Sequence, residues 1–485
     1  MRMATAAKLR FPPQIKFIIG NEACERFSFY GMRNILTVFL ADYLLRNAVP
    51  DEGARKTAAK ETFHLFVMSA YFFPLMGGYL ADRFWGKYRT ILWLSLVYSL
   101  GHLLLALFVD DRWGFYAGLF LIALGSGGIK PCVSAFVGDQ FTESNKQLVN
   151  KVFALFYWSI NFGSFFASLL IPLTLKRFGP DVAFGIPGIL MFIATVLFWL
   201  GRRQYTQMPP TGTNPHSFLK VVWTAFRNRG TKVGHWLDAA RAKHPDEAIL
   251  GSKAVLRVLA VFAPVPFFWM LFDQKASAWV LQAKNMDLRV GSWTLEASQL
   301  QSINPVLIML LIPLTTSVLY PAFERLGYPL KPLRRMTIGM FFAALSFVMV
   351  AGIQAVLDGG GKPSVLWQAA PYISLTMGEV LVSTTGLEFA YTQAPRQMKG
   401  TLMAFWNLAV SAGNLVVAVI SFTKVLTPYT GATSFLIYAG ITTVAGVAMG
   451  LIARWYTPTD FFLRAQDVQA PQLGEHIQKS NPPDA

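Results

Sequence analysis

Apolar stretches of about twenty residues recur along the chain, with short polar connections between them. A run of that length spans the ~30 Å of hydrocarbon in a bilayer. Twelve can be marked, near 14–45, 58–80, 89–109, 113–138, 148–175, 182–201, 254–283, 298–322, 334–356, 366–392, 400–425 and 431–456. In lipid the backbone must satisfy its own hydrogen bonds, so each stretch predicts a helix. Six fall within 14–203 and six within 250–456. The segment 204–249 between them is polar, basic and proline-containing, and 1–13 and 457–485 flank the whole. In the connector, FLKVVWTAFRNRG has apolar residues at 218, 219, 222, 223 and 226, an amphipathic spacing that predicts a helix on the cytoplasmic membrane surface. The tail from 465, ending NPPDA, reads as disordered.

The first stretch breaks the apolar pattern in a regular way. Glu22, Glu25, Arg26, Phe29, Tyr30 and Arg33 step along one helix face. A charge at the bilayer centre costs at least ~2.5 kcal/mol on the gentlest scale. This stripe therefore predicts a protein interior or a water-filled cavity on that face.

Composition agrees with a membrane protein: 485 residues, 54% hydrophobic and 14% charged, against about 25% charged in soluble domains. The net charge of +17 could point to nucleic acid, but its placement points elsewhere. Lys and Arg gather in alternate connections: Arg2, Lys8 and Arg10; Arg83, Lys87 and Arg89; Arg202 to Lys243; and Arg325, Lys331, Arg334 and Arg335. This positive-inside pattern predicts cytoplasmic N- and C-termini, with no nucleic-acid partner. Cys24 and Cys132 lie in apolar runs without metal spacing, and no cleavable signal is expected. No metal or cofactor is expected.

After the second stretch, Gly78, Asp82, Arg83, Gly86 and Arg89 resemble the G-x-x-x-D-R-x-x-G pattern of the major facilitator superfamily. Asp82 is expected to cap the turn or bridge its basic residues. Glu22-x-x-Glu25-Arg26-Phe27-x-x-Tyr30-Gly31 resembles the E-x-x-E-R-F-x-Y-Y-G signature of the proton-dependent oligopeptide transporter (POT) family. A second signature follows at Phe156 to Ser164, with Lys130-Pro131, Asp273-Gln274 and Gly378-Glu379 where that family keeps polar site residues. The resemblance covers about 14–456. It implies an all-α integral membrane protein of twelve transmembrane helices in two six-helix bundles, moving di- and tripeptides with protons across the cell (inner) membrane. Four departures stand out. The signature's first tyrosine is Phe29, and Asp273 replaces the glutamate of many members. The connector is too short for two extra spans, and the connection at 357–365 too short for a large extracellular domain.

The charges also speak for themselves. Arg26, Arg33 and Lys130 from the first bundle would face Asp273 and Glu379 from the second, a cavity suited to a zwitterion. A peptide carboxylate would pair with Arg or Lys and its amino terminus with Glu379. Asn161 and Asn304 would serve the peptide backbone, and Ser383 is a further polar candidate. Tyr30, Tyr71, Trp269 and Trp406 would serve its side chains. Glu22 and Glu25, beside Arg26, are the candidate proton-coupling carboxylates, with Glu379 titrating against the substrate amine. Arg33–Asp273 and Lys130–Glu379 are candidate bridges between bundles. His64, seven residues before Tyr71, titrates in a useful range and has a counterpart at the same spacing in the family's animal members; its other reading is a bonded polar residue near the outer membrane edge. His102 reads as structural. The glycines of Gly125-Ser126-Gly127-Gly128-Ile129-Lys130 read as close helix packing rather than a phosphate loop. An alternative cargo is another small anion or zwitterion, such as nitrate, an amino-acid conjugate or a peptidomimetic drug. The sequence has no nucleophile–base pair and no H-E-x-x-H, so an enzyme is not expected. A monomer is expected, since the cavity lies within one chain.

Overall fold

The computed structural model describes residues 11–142, 145–228, 234–393, 395–426 and 428–457. The expectations for residues 1–10 and for the tail beyond 457 lie outside them. Every one of the twelve apolar stretches is helical. The first core contains α1 (Ile15–Phe39), α2 (Glu52–Leu80), α3 (Gly86–Leu107), α4 (Arg112–Asp139), α5 (Val149–Phe178) and α6 (Pro180–Leu200). The connector carries α7 (Phe218–Arg227). The second core contains α8 (Asp246–Phe262), α9 (Val265–Phe272), α10 (Ala278–Ala283), α11 (Ile303–Leu314), α12 (Tyr320–Arg325), α13 (Pro332–Asp358), α14 (Ala369–Glu379), α15 (Thr385–Thr392), α16 (Lys399–Thr423) and α17 (Ala432–Trp455). The strands among the described residues are a small hairpin, β1 (Arg289–Val290) against β2 (Trp293–Thr294).

Eight helices are long and apolar enough to cross a membrane, and the first of these, Glu52–Leu107, runs for 56 residues, enough for two crossings. A ninth is a pair bent by 46° between α8 and α9, where Pro264 and Pro266 interrupt the hydrogen-bond ladder. Two expected stretches are helical but outside that group. α1 carries Glu22, Glu25, Arg26 and Arg33, and α14–α15 carries Glu379 among small and polar residues. The segments least like a lipid-facing span are the ones that hold the candidate chemistry.

The buried apolar side chains form two large clusters. One runs from Ile15 to Tyr205, joined by Ala276 and Leu281; the other runs from Phe218 to Met449. Small residues allow close helix contact inside the first. A Cβ on Gly77 would lie 2.2 Å from the Gly127 carbonyl oxygen, so α2 and α4 touch backbone to backbone there.

The connector helix α7 is amphipathic, as its spacing predicts, and its apolar positions divide between two faces. Phe218, Val221 and Ala225 are buried, the last two in a small cluster with Leu237, Ala240, Ala248 and Ile249, while Leu219, Trp223 and Phe226 are exposed. The Asp82 carbonyl accepts from Gly212 N at 3.1 Å, which ties the connector to the turn after α2. The Asp82 carboxylate forms no ion pair among the described residues; Lys87 pairs with Asp139 instead, at 2.6 Å.

Two histidines hold the connector's ends together. His216 Nδ1 and His244 Nδ1 are 3.1 Å apart, and His244 Nε2 meets Thr224 Oγ1 at 2.9 Å. One imidazole must accept, so the contact needs a neutral ring. Burial pushes His244 below the ordinary histidine range, helped by His216, Lys220 and Lys243. The folded connector then binds fewer protons than the unfolded one, and stability rises with pH through this window. Its contribution is complete above the ordinary value near ~6.5 and fades as pH falls toward the lower folded value. Amide exchange in the 216–244 region, corrected for intrinsic rate, should be faster at about pH 5 than at about pH 8. Equal protection at both would remove the histidine pair as the clasp.

Candidate functional site

The α1 stripe points into the protein, as its spacing predicts. Arg26 Nε lies 2.6 Å from Glu22 Oε1 and 3.0 Å from Glu25 Oε2, and both carboxylates are buried. One guanidinium is shared by two acids, Glu22 a helical turn before it and Glu25 directly before it. Loss of either contact would leave a carboxylate to find a proton instead. Lys130, on α4, sits 4.2 Å above the Phe29 ring and 4.3 Å above the Tyr71 ring. Phe29 therefore keeps an aromatic face for the ammonium although it lacks a hydroxyl. Tyr30 lies within electrostatic reach of Arg26, Arg33 and Glu379.

One turn further along α1, Arg33 forms a buried ion pair with Asp273 across the boundary between the two cores. Asp273 begins the tight turn Asp273–Ala276 that interrupts α9 and α10. Its second oxygen accepts from Asn414 Nδ2 of α16 at 2.7 Å. The Asn414 oxygen meets His64 Nδ1 of α2 at 2.8 Å, and His64 Nε2 meets Ser277 Oγ at 2.9 Å. If Asn414 donates to the carboxylate, its oxygen accepts, so His64 donates from Nδ1. A neutral His64 then accepts from Ser277. A proton arriving at Nε2 would reverse that hydroxyl, which has the Gln274 carbonyl 3.5 Å away. His64 is thus fully buried and spans both cores, rather than sitting at an outer edge.

The second core presents a triad of its own. Lys275 Nζ donates to Asn304 Oδ1 at 2.8 Å, and Asn304 Nδ2 donates to Glu379 Oε2 at 2.7 Å and to Thr376 Oγ1 at 3.1 Å. Two expected contacts are not open in this arrangement. Lys130 and Glu379 form no ion pair: Lys130 is over its aromatic rings, and Lys275 supplies the positive charge nearest Glu379. Asn304 is not an open donor and acceptor, because Lys275 and Glu379 already use both ends of its amide. Asn161 gives its amide to the Tyr157 carbonyl at 2.9 Å. Trp269 and Trp406 are 7% and 5% exposed and pack against each other in the second core, with Phe262 on Trp406. That places both indoles in the wall rather than on an open surface. Ser383 is half-buried in the wide turn Val380–Thr384 directly after Glu379, and Tyr71 is half-buried beside Lys130.

Two further ion pairs join the cores at one end of the molecule: Asp42 with Lys284 at 2.5 Å, and Lys176 with Glu296 at 2.6 Å. Neutral bonds reinforce the same end, from Thr37 to the Ala276 carbonyl at 2.9 Å and from Gln301 to the Asn34 carbonyl at 3.0 Å. Lys275, Ser277 and Asn414 are the functional candidates that sequence reasoning missed. Lys275 had a signal, a cation inside an apolar run two residues after Asp273. Asn414 and Ser277 had none, since isolated small polar residues are common in membrane helices. No group of three or more possible metal ligands occurs among the described residues.

These features define a multi-pass helical membrane protein with a charged seam between two cores. The model of the POT family matches residues 88–435. Solute carrier family 15 member 2 of Mus musculus is 38% identical over 399 residues, which cover 78% of this chain and 54% of that protein. Peptide transporter 3 of Caenorhabditis elegans is 39% identical over 369 residues, covering 72% and 51%. The chain spans about half the length of the curated relatives it matches. A crystal structure of an auto-inhibited POT family peptide transporter superposes with a TM-score of 0.87 at 46% identity, covering 93% of this chain and 98% of that one. The chain belongs to the POT family.

The seam makes a ranked prediction. Asp273→Asn leaves Arg33 buried without its counter-charge, a change that typically costs ~3–5 kcal/mol. Asp42→Asn removes a partly exposed partner, worth ~0–1 kcal/mol. Thermal unfolding of the purified variants should therefore show a large drop for the first and a small one for the second. Equal drops would contradict the buried placement of the Arg33–Asp273 pair.

Proposed function

We propose that the chain is a proton-coupled symporter that imports di- and tripeptides by alternating access, through twelve spans with both termini in the cytoplasm of the cell (inner) membrane. The observation that carries this reading is the seam itself. Glu22, Glu25, Arg26 and Lys130 on one core and Lys275, Asn304 and Glu379 on the other put acids and bases on both sides of one boundary, so that a carboxylate can find a cation on the first core and an amine can find Glu379 on the second. A zwitterion of peptide length can span such a pair of walls. The two relatives and the solved structure described above support peptide as the cargo, one relative and the structure by name.

The state of the carrier follows from the direction of the helices. With the basic connections inside, α1 ends outside, and so do α5 and α10. The inter-core ion pairs Arg33–Asp273, Asp42–Lys284 and Lys176–Glu296 then all belong to the outer half. The outer side is sealed and substrate exchanges with the cytoplasm. A proton on Asp273 would release both Arg33 and Asn414, and His64 with it, loosening the seal from within. A proton on Glu22 or Glu25 would release Arg26, freeing a guanidinium for a substrate carboxylate. Coupling arises because acid, base and substrate compete for the same partners. Glu379 would bind the substrate amine once Lys275 and Asn304 give way.

Uptake of a labelled dipeptide into proteoliposomes tests this directly. Wild-type protein should accumulate it under an inward proton gradient. Glu22→Gln should keep exchange but lose accumulation. Glu379→Gln should weaken binding of dipeptides by about ten-fold or more, the loss of a charge-assisted bond, and spare a substrate that lacks the amine. Folded protein that takes up no dipeptide would move the reading to another small anion or zwitterion.

A further inference from the structure

A second group of polar side chains lies inside the first core, behind the seam and joined to it through Glu25. Asn21, Glu25 and Ser28 of α1 are all fully buried, as are Ser95, Tyr98 and His102 of α3. The two sets meet: Ser28 Oγ lies 2.8 Å from His102 Nε2, and the Tyr98 hydroxyl faces the Glu25 carboxylate. α6 closes the third side, with Asn21 Nδ2 donating to the Ala194 carbonyl at 2.9 Å and Ser28 Oγ donating to the Pro187 carbonyl at 2.7 Å.

The Ser28 bond decides the state of His102. A hydroxyl has one proton, and a carbonyl can only accept. Ser28 therefore gives its proton to Pro187 and accepts from His102, so His102 carries its proton on Nε2. Its Nδ1 is a bare acceptor with no partner among the described residues. The same is true of the hydrogen-bonding capacity of nearby atoms. Among the described residues thirteen buried side-chain polar atoms make no hydrogen bond, and seven of them lie on α1 and α3: Asn21 Oδ1, Glu22 Oε2, both Glu25 oxygens (of which Oε2 has the Arg26 guanidinium 3.0 Å away), Ser95 Oγ, the Tyr98 hydroxyl and His102 Nδ1. Buried polar atoms left unpaired are costly, and seven on two facing helices are not scattered defects. Water, which takes two to four polar partners, answers such a cluster of donors and acceptors.

We propose that α1, α3 and α6 enclose an internal water site behind Glu25, and that Tyr98 and His102 are positioning residues for the proton that Glu25 carries. The part concerning the proton rests on the reading of the chain as a proton-coupled carrier; the water site does not. Tyr98 directs its hydroxyl to the carboxylate. His102 stacks on Tyr98, with ring centroids 5.1 Å apart and planes 19° apart, and so holds the phenol in place. Its Nδ1 anchors the far end of the water. The charged and titratable groups that face Glu25 are Arg26, Glu22, Lys130 and Tyr98. Arg26 and Lys130 reach it from the seam; the water and the Tyr98 hydroxyl reach it from behind. Glu25 would then stay hydrated whether the seam is open or closed, which distinguishes it from Glu22.

The test pairs a structural with a functional measurement on the full chain. A crystal structure at about 2 Å or better should show ordered water within hydrogen-bond distance of His102 Nδ1. In proteoliposomes, Tyr98→Phe keeps the ring and the stacking but removes the hydroxyl. The pH midpoint of gradient-driven dipeptide uptake should move to higher pH by about one unit, since a carboxylate that loses a donor holds its proton longer, while exchange without a gradient continues. His102→Leu should shift the midpoint in the same direction, and His102→Gln, which keeps a donor and an acceptor, should restore it. A wild-type midpoint in Tyr98→Phe would overturn the positioning role even if His102→Leu fails to fold. A dry site in the structure would overturn the water. If wild-type protein shows no gradient-driven uptake at all, the carrier reading fails, and the density at Nδ1 alone decides the water site.

Discussion

Charge inside a membrane protein has to be matched by charge, and the Arg33–Asp273 pair is where this chain meets that requirement between its two halves. Each partner alone would be a buried ion with several kcal/mol of desolvation against it. Together they hold α1 against the α9–α10 turn. Asn414, His64 and Ser277 extend the contact, so that four separate helical segments share one connected set of bonds. The rest of that end of the molecule follows from the same register. Asp42 meets Lys284, and Lys176 meets Glu296, only because the two cores are already aligned. A network of this kind has few intermediate arrangements. When one proton or one partner is removed, several bonds lose their reason at once, which suits a protein that alternates between two states.

Irregular helix geometry places the chemistry. The α9–α10 break puts Asp273 and Lys275 two residues apart in a tight turn, so that one faces Arg33 and the other faces Glu379 through Asn304. A wide turn follows Glu379 directly, and another ends α1 just beyond the seam. Such segments disturb the ladder of backbone bonds and recur at functional positions in helices. In lipid they are tolerated where the freed groups face protein or water rather than hydrocarbon. Glu22, Glu25 and Arg26 use the opposite device, a regular helix turn that holds two acids against one base.

The spacing of apolar runs, and the polar stripe at 22, 25, 26, 29, 30 and 33, made the helices and the buried face of α1 legible from the chain alone. These depend on local period and on the cost of polar groups in lipid, both of which a single helix expresses. The partners of Arg33 and Arg26 were also legible, because few opposite charges exist in the apolar runs. Lys130 and Asn304 were assigned their residue types correctly but not their partners. Which cation reaches Glu379 depends on how α4, α11 and the α9–α10 turn are placed in three dimensions, and Lys275 is linked to it through Asn304 while Lys130 lies over Phe29 and Tyr71. What the two tryptophans and the apolar positions of α7 face was not legible, for a related reason. Periodicity names a face without naming what covers it.

What the sequence determined by itself, then, is a helical membrane protein with an ionisable stripe that must be hidden and basic residues gathered in alternate connections. What only the tertiary structure decided is the pairing: His64 with Asn414 and Ser277, Lys275 with Asn304 and Glu379, and Ser28 with His102. A buried polar group costs the same wherever it lies in the chain, so its presence is readable locally. Its partner is set by distance, and the helices that bring these residues within about 3 Å of one another come from positions tens to hundreds of residues apart.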